Sequence, residues 1–511
     1  MGRHGRTAIC YDEKKAFKTA VDTAVLHVRS IVVPDGPNYT LWTRNDRCSQ
    51  CLPQPICDLS NKDYFKLQVN TSFPTHLLIT RGTEAVHVCN TSFHFGEHGS
   101  YWLNFSDSDP DCSVAETQPP VNSFLPILYA VLIYAGIALL WTGARFLKRK
   151  WDDSRPINYV LEDQDTPGSP APMRARKHQR LRSLDTFRGL SIVLMIFVNY
   201  GGGRYWFFTH SAWNGLTVAD LVFPWFLFIM GTSMAISLHA SHFRGLTRRR
   251  IWLSILRRSL TLVALGLFLN AQLDKEGDVR KLRLPGVLQR FGVCYFVVAS
   301  MRCLSVLDLT AMQDAKLPWL RDVTFFWSEW VIVGILVALH EIIVFLLPVP
   351  GCPKGYLGPG GLADHGRYGN CTGGATGHID RMLFGNSHVY ANPTARWLYN
   401  TAVPFDPEGL LGCLTSILVV FLGLQAGQII VCYKSWPSRV KRWLLWAFMT
   451  GLVGAILCNC SINDGVIPVN KNLWSLSYAL VLSCMAFLLL AVLYVIIDVA
   501  KVWNGSPLFQ A

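Results

Sequence analysis

Apolar positions come in long unbroken runs over the last three quarters of the chain and in short alternating runs before residue 124. Nine of the long runs are long enough, or nearly so, to cross a hydrocarbon core about 30 Å thick as helices. They lie near 124–147, 185–200, 216–240, 252–270, 287–306, 325–349, 409–431, 443–460 and 473–500. The second is short, with Arg188 near its start and Asn199 at its end, which predicts either hydrophobic mismatch or a helix buried among others. The first quarter switches to period two, as in Phe65-Lys-Leu-Gln-Val69, His76-Leu-Leu-Ile-Thr80 and Tyr101-Trp-Leu-Asn-Phe105, which predicts a small β-sandwich. The expected fold class is therefore an all-α polytopic membrane bundle with a small N-terminal β-sandwich-like domain. Its expected parts are a β-rich domain over 1–123, a first transmembrane helix over 124–147, a basic linker over 148–182 and a transmembrane domain over 183–511.

Composition agrees with a membrane protein: 51% of the 511 residues are hydrophobic and 16% are charged. The net charge of +13 does not point to nucleic acid, because the cations gather in short loops between apolar runs. Arg145, Lys148, Arg149 and Lys150 follow the first run, Arg244 and Arg248 to Arg250 the third, and Lys434, Arg439, Lys441 and Arg442 the seventh. Positive loops stay in the cytosol, so these mark one side. The N-x-Ser/Thr triplets at Asn38, Asn70, Asn90, Asn104 and Asn370 all fall on the other side, with Asn459 near the end of the eighth run. Asn504 falls on the cytosolic side, where it would go unused. Two independent signals thus place the N-terminal domain in a lumen or outside the cell. Such a compartment is oxidising, so Cys48, Cys51, Cys57, Cys89, Cys112, Cys352 and Cys371 are expected in disulfides. Cys48-Ser-Gln-Cys51 alone also fits half a zinc site or a redox pair, but no second ligand pair stands near it. An exported domain needs a leader, and no apolar segment follows Met1-Gly-Arg-His-Gly-Arg6.

The chemistry lies between the second and third runs, in Asn199-Tyr-Gly-Gly-Gly-Arg-Tyr-Trp-Phe-Phe-Thr-His210 and on to Asp220. A charged side chain at membrane depth costs roughly 2.5–3.5 kcal/mol on the mildest scale, which makes Asp220 a functional candidate. His210 adds a side chain of the type that exchanges protons near neutrality. Pro224, one turn beyond Asp220, removes a backbone donor and frees a carbonyl inside the helix. An imidazole beside a carboxylate in an aromatic setting suits a general base or a nucleophile. The competing explanations are an interfacial aromatic belt for His210 and a structural polar contact for Asp220. A secondary transporter also places such groups at membrane depth, although no inverted repeat is visible.

Longer blocks carry a resemblance. Arg182-Ser-Leu-Asp-Thr-Phe-Arg-Gly-Leu190, Phe197-Val-Asn-Tyr-Gly-Gly-Gly203 and Trp213-Asn-Gly-Leu-Thr-Val-Ala-Asp-Leu-Val-Phe-Pro-Trp225 resemble the heparan-α-glucosaminide N-acetyltransferase family. So do Leu284-Pro-Gly-Val-Leu-Gln-Arg290, Leu347-Pro-Val-Pro-Gly-Cys-Pro353, Gly355-Tyr-Leu-Gly-Pro-Gly-Gly361 and Pro468-Val-Asn-Lys-Asn-Leu-Trp-Ser-Leu-Ser-Tyr478. The resemblance implies a lysosomal membrane enzyme that moves an acetyl group from cytosolic acetyl-CoA to the terminal glucosamine of heparan sulfate. It makes His210 the active-site histidine, with Asn199 and Asp220 as associated polar residues. The family continues through further helices beyond the place where this sequence ends, so an inactive form and another acceptor sugar are the alternatives.

Under that resemblance Arg182, Arg188, Arg257 and Arg258 are expected near the coenzyme phosphates, because a guanidinium matches phosphate with two bonds. Pairing with lipid headgroups is their ordinary alternative. Arg290 is expected to support the site's mouth. No metal is expected. Lipid contact is implied by the spans, and a homodimer is expected. Gly423-Leu-Gln-Ala-Gly427 permits close helix packing and is weak as a dimer motif.

Overall fold

In the computed structural model the described residues are 8–11, 21–29, 39–48, 50–59, 64–82, 86–106, 109–153, 181–273, 282–305 and 320–503. Asn38, Asn504 and most of the basic linker, 154–180, lie outside them. Among the described residues the alternating N-terminal segment folds into nine strands, β1 (Ala8–Tyr11), β2 (Thr23–Arg29), β3 (Tyr39–Asn45), β4 (Gln54–Asp58), β5 (Tyr64–Asn70), β6 (Thr75–Arg81), β7 (Val86–Phe93), β8 (Ser100–Ser106) and β9 (Asp109–Gln118). They make two sheets, ordered β1-β5-β2-β8-β9 and β4-β3-β6-β7. Period-two alternation turns Leu26, Val28, Leu67 and Leu103 of one sheet toward Leu41, Leu77 and Ile79 of the other, all fully buried. A disulfide from Cys89 on β7 to Cys112 on β9 joins the two sheets.

The apolar runs become helices: α1 (Leu125–Asp153), α2 (Arg182–Asn199), α3 (Val218–Phe243), α4 (Arg248–Leu273), α5 (Val287–Leu304), α6 (Arg321–Thr324), α7 (Trp327–Leu346), α8 (Gly374–Phe384), α9 (Arg396–Tyr399), α10 (Gly412–Cys432), α11 (Trp436–Cys458) and α12 (Leu476–Leu493). A π-helical turn, Tyr494–Val499, prolongs α12. Among the described residues, eight helices are long and apolar enough to span a membrane, so the chain is a multi-pass membrane protein. The expected second span differs. α2 forms where the pattern places it, but Arg182, Asp185 and Arg188 occupy its first two turns and it falls short of the apolarity of the other eight.

α10 is the central helix, buried without interruption from Ser416 through Ile429. Its closest neighbour is α3, and the reason is the absence of side chains at three positions. A Cβ at Gly231 would run into the carbonyl of Val420, one at Gly423 into the carbonyl of Phe228, and one at Gly427 toward the carbonyl of Thr232. The Gly423 to Gly427 face is thus used inside the chain, against α3. That face is buried, so the close packing it permits is made within the chain.

Helices run alternately, so the N-termini of α3, α5, α10 and α12 share one face with the C-termini of α2, α7 and α11. The β-domain sits on this face. Its Arg47 bonds the carbonyl of His210 at 3.2 Å, and its Asp22 accepts from the amide of Trp206 at 2.7 Å. A long connection from Leu347 to Leu411, closed by the Cys352–Cys371 disulfide, covers the same face. Cys48, Cys51, Trp213, Leu398, Tyr399, Phe405 and Leu473 form a second apolar core where β-domain, connection and bundle meet. Cys48 and Cys51 are disulfide-bonded to each other within it, and Cys57 is also in a disulfide. Asn90, Asn104, Asn370 and Asn459 are exposed, while Asn70 is half-buried and accepts from the Ser72 amide at 2.8 Å.

The α3–α10 contact yields a first prediction. Gly423→Val forces a side chain into the backbone of Phe228 and should destabilise the bundle by about 3 kcal/mol or more. Thermal unfolding of purified protein should show a clear fall in Tm, and an unchanged Tm would contradict the packing.

A candidate active site at the mouth of the bundle

Asp220 is held by consequences of local sequence. Thr217 precedes α3 and Asp220 is its third residue, the spacing of a capping pair. The carboxylate reaches back: Oδ2 accepts from the Thr217 amide at 3.2 Å, the Thr217 hydroxyl at 2.9 Å and the Ser211 amide at 3.1 Å. Pro224 has no amide hydrogen, which frees the carbonyl four residues earlier, and that carbonyl belongs to Asp220. It does not stay unpartnered. The buried Tyr478 hydroxyl donates to it at 2.7 Å. α12 is thereby tied to α3 at the first turn of α3, beside the candidate site.

The other carboxylate oxygen faces His210. Oδ1 lies 2.8 Å from His210 Nδ1, with Asp220 fully buried and the imidazole 39% exposed. Lys471 completes the group: its Nζ is 2.8 Å from His210 Nδ1 and 3.5 Å from Asp220 Oδ1. Among the described residues no hydrogen bond engages His210 Nε2, which leaves that nitrogen for a ligand. The loop bearing His210 is fixed at both ends. Gly201, Gly202 and Gly203 all have positive φ, and a Cβ on Gly202 would strike Phe208. Beyond His210, Asn470 donates to Asn214 at 3.0 Å, Asn472 to the Ala212 carbonyl at 3.3 Å, and Trp213 to the Leu357 carbonyl at 2.8 Å. A rigid imidazole, oriented through Nδ1 by a buried carboxylate and open at Nε2, can accept a proton or an acyl group.

The remaining expected site residues fall elsewhere. Asn199 is exposed at the last turn of α2, and among the described residues no hydrogen bond joins it to His210 or Asp220. Arg290 is buried on α5, where it donates to the carbonyls of Pro407 and Gly409 and stacks on Trp474 at 4.7 Å, so it braces the entry to α10. Arg182 and Arg188 are exposed at the far end of α2, Arg188 beside Asp185 at 3.8 Å. Arg257 and Arg258 are exposed on α4, about 14 Å along it from Arg248, with Arg258 over the ring of Tyr295 at 5.0 Å. These four do not converge on one point. Lys471 is the functional candidate that residue-type reasoning missed. Its signal was its place in the block from Pro468 to Tyr478.

Comparison with known proteins decides the family. A heparan-alpha-glucosaminide N-acetyltransferase from Mus musculus is 39% identical over 533 aligned positions, covering 98% of this chain and 81% of that protein. Its Homo sapiens counterpart is 39% identical over 535 positions, covering 98% of this chain and 80% of that protein. The chain belongs to the heparan-alpha-glucosaminide N-acetyltransferase family. No model of a protein family matches it. As a member of the heparan-alpha-glucosaminide N-acetyltransferases the chain is a transferase, and the group around His210 is its candidate centre.

Two carboxyls on the same face are neutral acids at mildly acidic pH. Burial beside Glu97 pushes Asp22 up to about 6, against the lowering effect of the Trp206 amide. Burial pushes Asp380 on α8 up to about 7, with the Leu410 amide opposing and Asp406 reinforcing it. Among the described residues Asp380 Oδ2 has no partner, as fits a carboxyl that keeps its proton. A raised folded-state value gives stability that is full below the ordinary value of 3.8 and is lost as pH rises through about 6 for Asp22 and about 7 for Asp380. The seating of the β-domain on the bundle should accordingly be firmer at pH 5 than at pH 8. Limited proteolysis of the β-domain should slow in acid, and Asp22→Asn should reduce the difference. Faster cleavage at pH 5 than at pH 8 would contradict this.

Proposed function

We propose that this chain transfers an acetyl group from acetyl-CoA on the cytosolic side to the terminal glucosamine amine of heparan sulfate on the lumenal side of the lysosomal membrane. The observation that carries the proposal is the His210–Asp220 pair, oriented through Nδ1 and open at Nε2, in a chain alike over nearly its whole length to enzymes named for this transfer. The β-domain face is the lumenal one in this scheme, which puts the exposed Asn90, Asn104 and Asn370 where glycans are added. Arg182, Arg188, Arg248, Arg257 and Arg258 are exposed toward the other face, as suits both positive-inside orientation and a phosphate-bearing donor.

Coenzyme phosphates cannot enter hydrocarbon, but the thin pantetheine arm with its thioester can follow a path between helices. Only the acetyl group has to arrive at His210. There Nε2 either takes the acetyl group as the C–S bond breaks and CoA thiolate leaves, then passes it to the amine, whose proton ends on the released thiolate, or it takes the amine proton while the amine attacks the thioester and returns that proton to the departing CoA sulfur. In both, Asp220 holds Nδ1–H and stabilises the positive charge that develops on the ring. The chain is a transferase in either case, and the step at Nε2 is what differs.

His210→Ala should abolish transfer of labelled acetyl from external acetyl-CoA to glucosamine inside sealed membrane vesicles, at matched protein abundance. Asp220→Asn should lower kcat by about 100-fold or more, because the amide no longer fixes the ring. Wild-type turnover in His210→Ala, or uptake of unmodified amino sugar with no acetylation, would overturn the proposal.

A further inference from the structure

Imidazole Nδ1 has one bonding position in the ring plane, yet two groups stand 2.8 Å from it in His210: Asp220 Oδ1, which can only accept from it, and Lys471 Nζ, which as an ammonium can only donate to it. Both contacts cannot be hydrogen bonds at once. In one neutral form Nδ1–H donates to Asp220, Nε2 carries an outward lone pair, and Lys471 leans on the carboxylate it already approaches at 3.5 Å. In the other Lys471 donates into the Nδ1 lone pair and Nε2 carries the hydrogen. The charged imidazolium has a third arrangement, with hydrogens on both nitrogens, and it sets one cation against another across the Nδ1–Nζ gap.

Resting on the acyl transfer proposed above, we infer that Lys471 is a positioning residue whose ammonium opposes protonation of His210 and so keeps the imidazole neutral in an acidic compartment. It acts through the ring and touches neither donor nor acceptor. Other charges around the ring leave room for this role. Asp220, on α3, favours the imidazolium and alone would trap it. Arg47, from the β-domain, brings a guanidinium to the His210 carbonyl and works with Lys471. Burial raises Glu408, on the segment before α10, but Arg283, Arg290 and Lys471 outweigh it and hold the carboxyl below the ordinary carboxylate range. Asp22 reaches the Trp206 amide at the start of the same loop and is a neutral acid below about pH 6. Lys471 is 13% exposed and is held in place by the Asn470 and Asn472 bonds on either side of it.

The simpler alternative is that Lys471 only neutralises a buried carboxylate. The two roles separate in a measurement that needs no substrate. Diethyl pyrocarbonate acylates uncharged imidazole, so its rate at His210, followed by peptide mass in the purified full chain, reports the neutral fraction at each pH. In Lys471→Met the pH at half-maximal modification should rise by about one unit relative to wild type. Lys471→Arg, which keeps the charge, should return it to the wild-type position. Acetyl transfer by Lys471→Met should fall more steeply in acid than at neutrality, in kcat rather than in KM for the amine. Should the methionine variant not fold, Lys471→Gln carries the same comparison. Profiles that superimpose on wild type, with only a lower Tm, would overturn the inference and leave an ion pair. Retained transfer in His210→Ala would instead sink the proposed function, and the modification profile would still decide the role of Lys471.

Discussion

One buried carboxylate organises this face of the protein. Asp220 is fully excluded from water, and a bare charge there would be prohibitive. It is tolerated because amides, a hydroxyl, an imidazole and an ammonium all point at it. Removing one partner from such a group costs about 3–5 kcal/mol, so each is also a constraint on the others. The His210 loop, the first turn of α3 and the segment before α12 are three separate stretches of chain. They meet because the carboxylate requires all of them.

The fold supplies the conditions for that meeting. Glycines at 231, 423 and 427 bring α3 against the central α10 at backbone contact, which fixes the height and rotation of α3 in the bundle. Pro224 then withholds one helical hydrogen bond, and Tyr478 takes up the freed carbonyl, locking α12 to the same point. From outside, the β-domain presses Arg47 onto the His210 backbone, sandwiched between Phe73 at 5.4 Å and Trp397 at 5.2 Å. The β-domain is therefore part of the wall around the site, and one of its contacts is made by Asp22, a carboxyl that burial pushes up to about 6.

Much of this was legible in the sequence because it follows from periodicity. Runs of apolar residues longer than a bilayer is thick have few other uses, and strict alternation over five residues gave β5, β6 and β8. The His210 and Asp220 pairing was legible for a related reason: an acid at membrane depth needs a partner, and the nearest imidazole stood in the adjoining loop. Contacts between distant segments were not. Asn199 is close to His210 in sequence, yet α2 ends with its side chain turned outward. Arg290 was expected to support the mouth of the site, but its partners, the carbonyls of Pro407 and Gly409, lie more than a hundred positions away and left no local sign. The Gly423 face was legible as one for close helix packing, but its partner, α3, was not. Lys471, some 250 positions from its partner, carries no local sign of its role beyond its place in a block of family likeness.

Under the proposed function, Asp220 holds the ring so that Nε2 of His210 is the atom that meets the reactants. The most direct measurement is a structure of the chain with a non-transferable thioether analogue of acetyl-CoA and glucosamine bound together. The account predicts the analogue's carbonyl carbon and the sugar nitrogen each within about 3.5 Å of His210 Nε2, with the Nδ1 to Asp220 contact intact. An analogue whose carbonyl ends away from His210, or a ring turned so that Nδ1 faces the reactants, would contradict it.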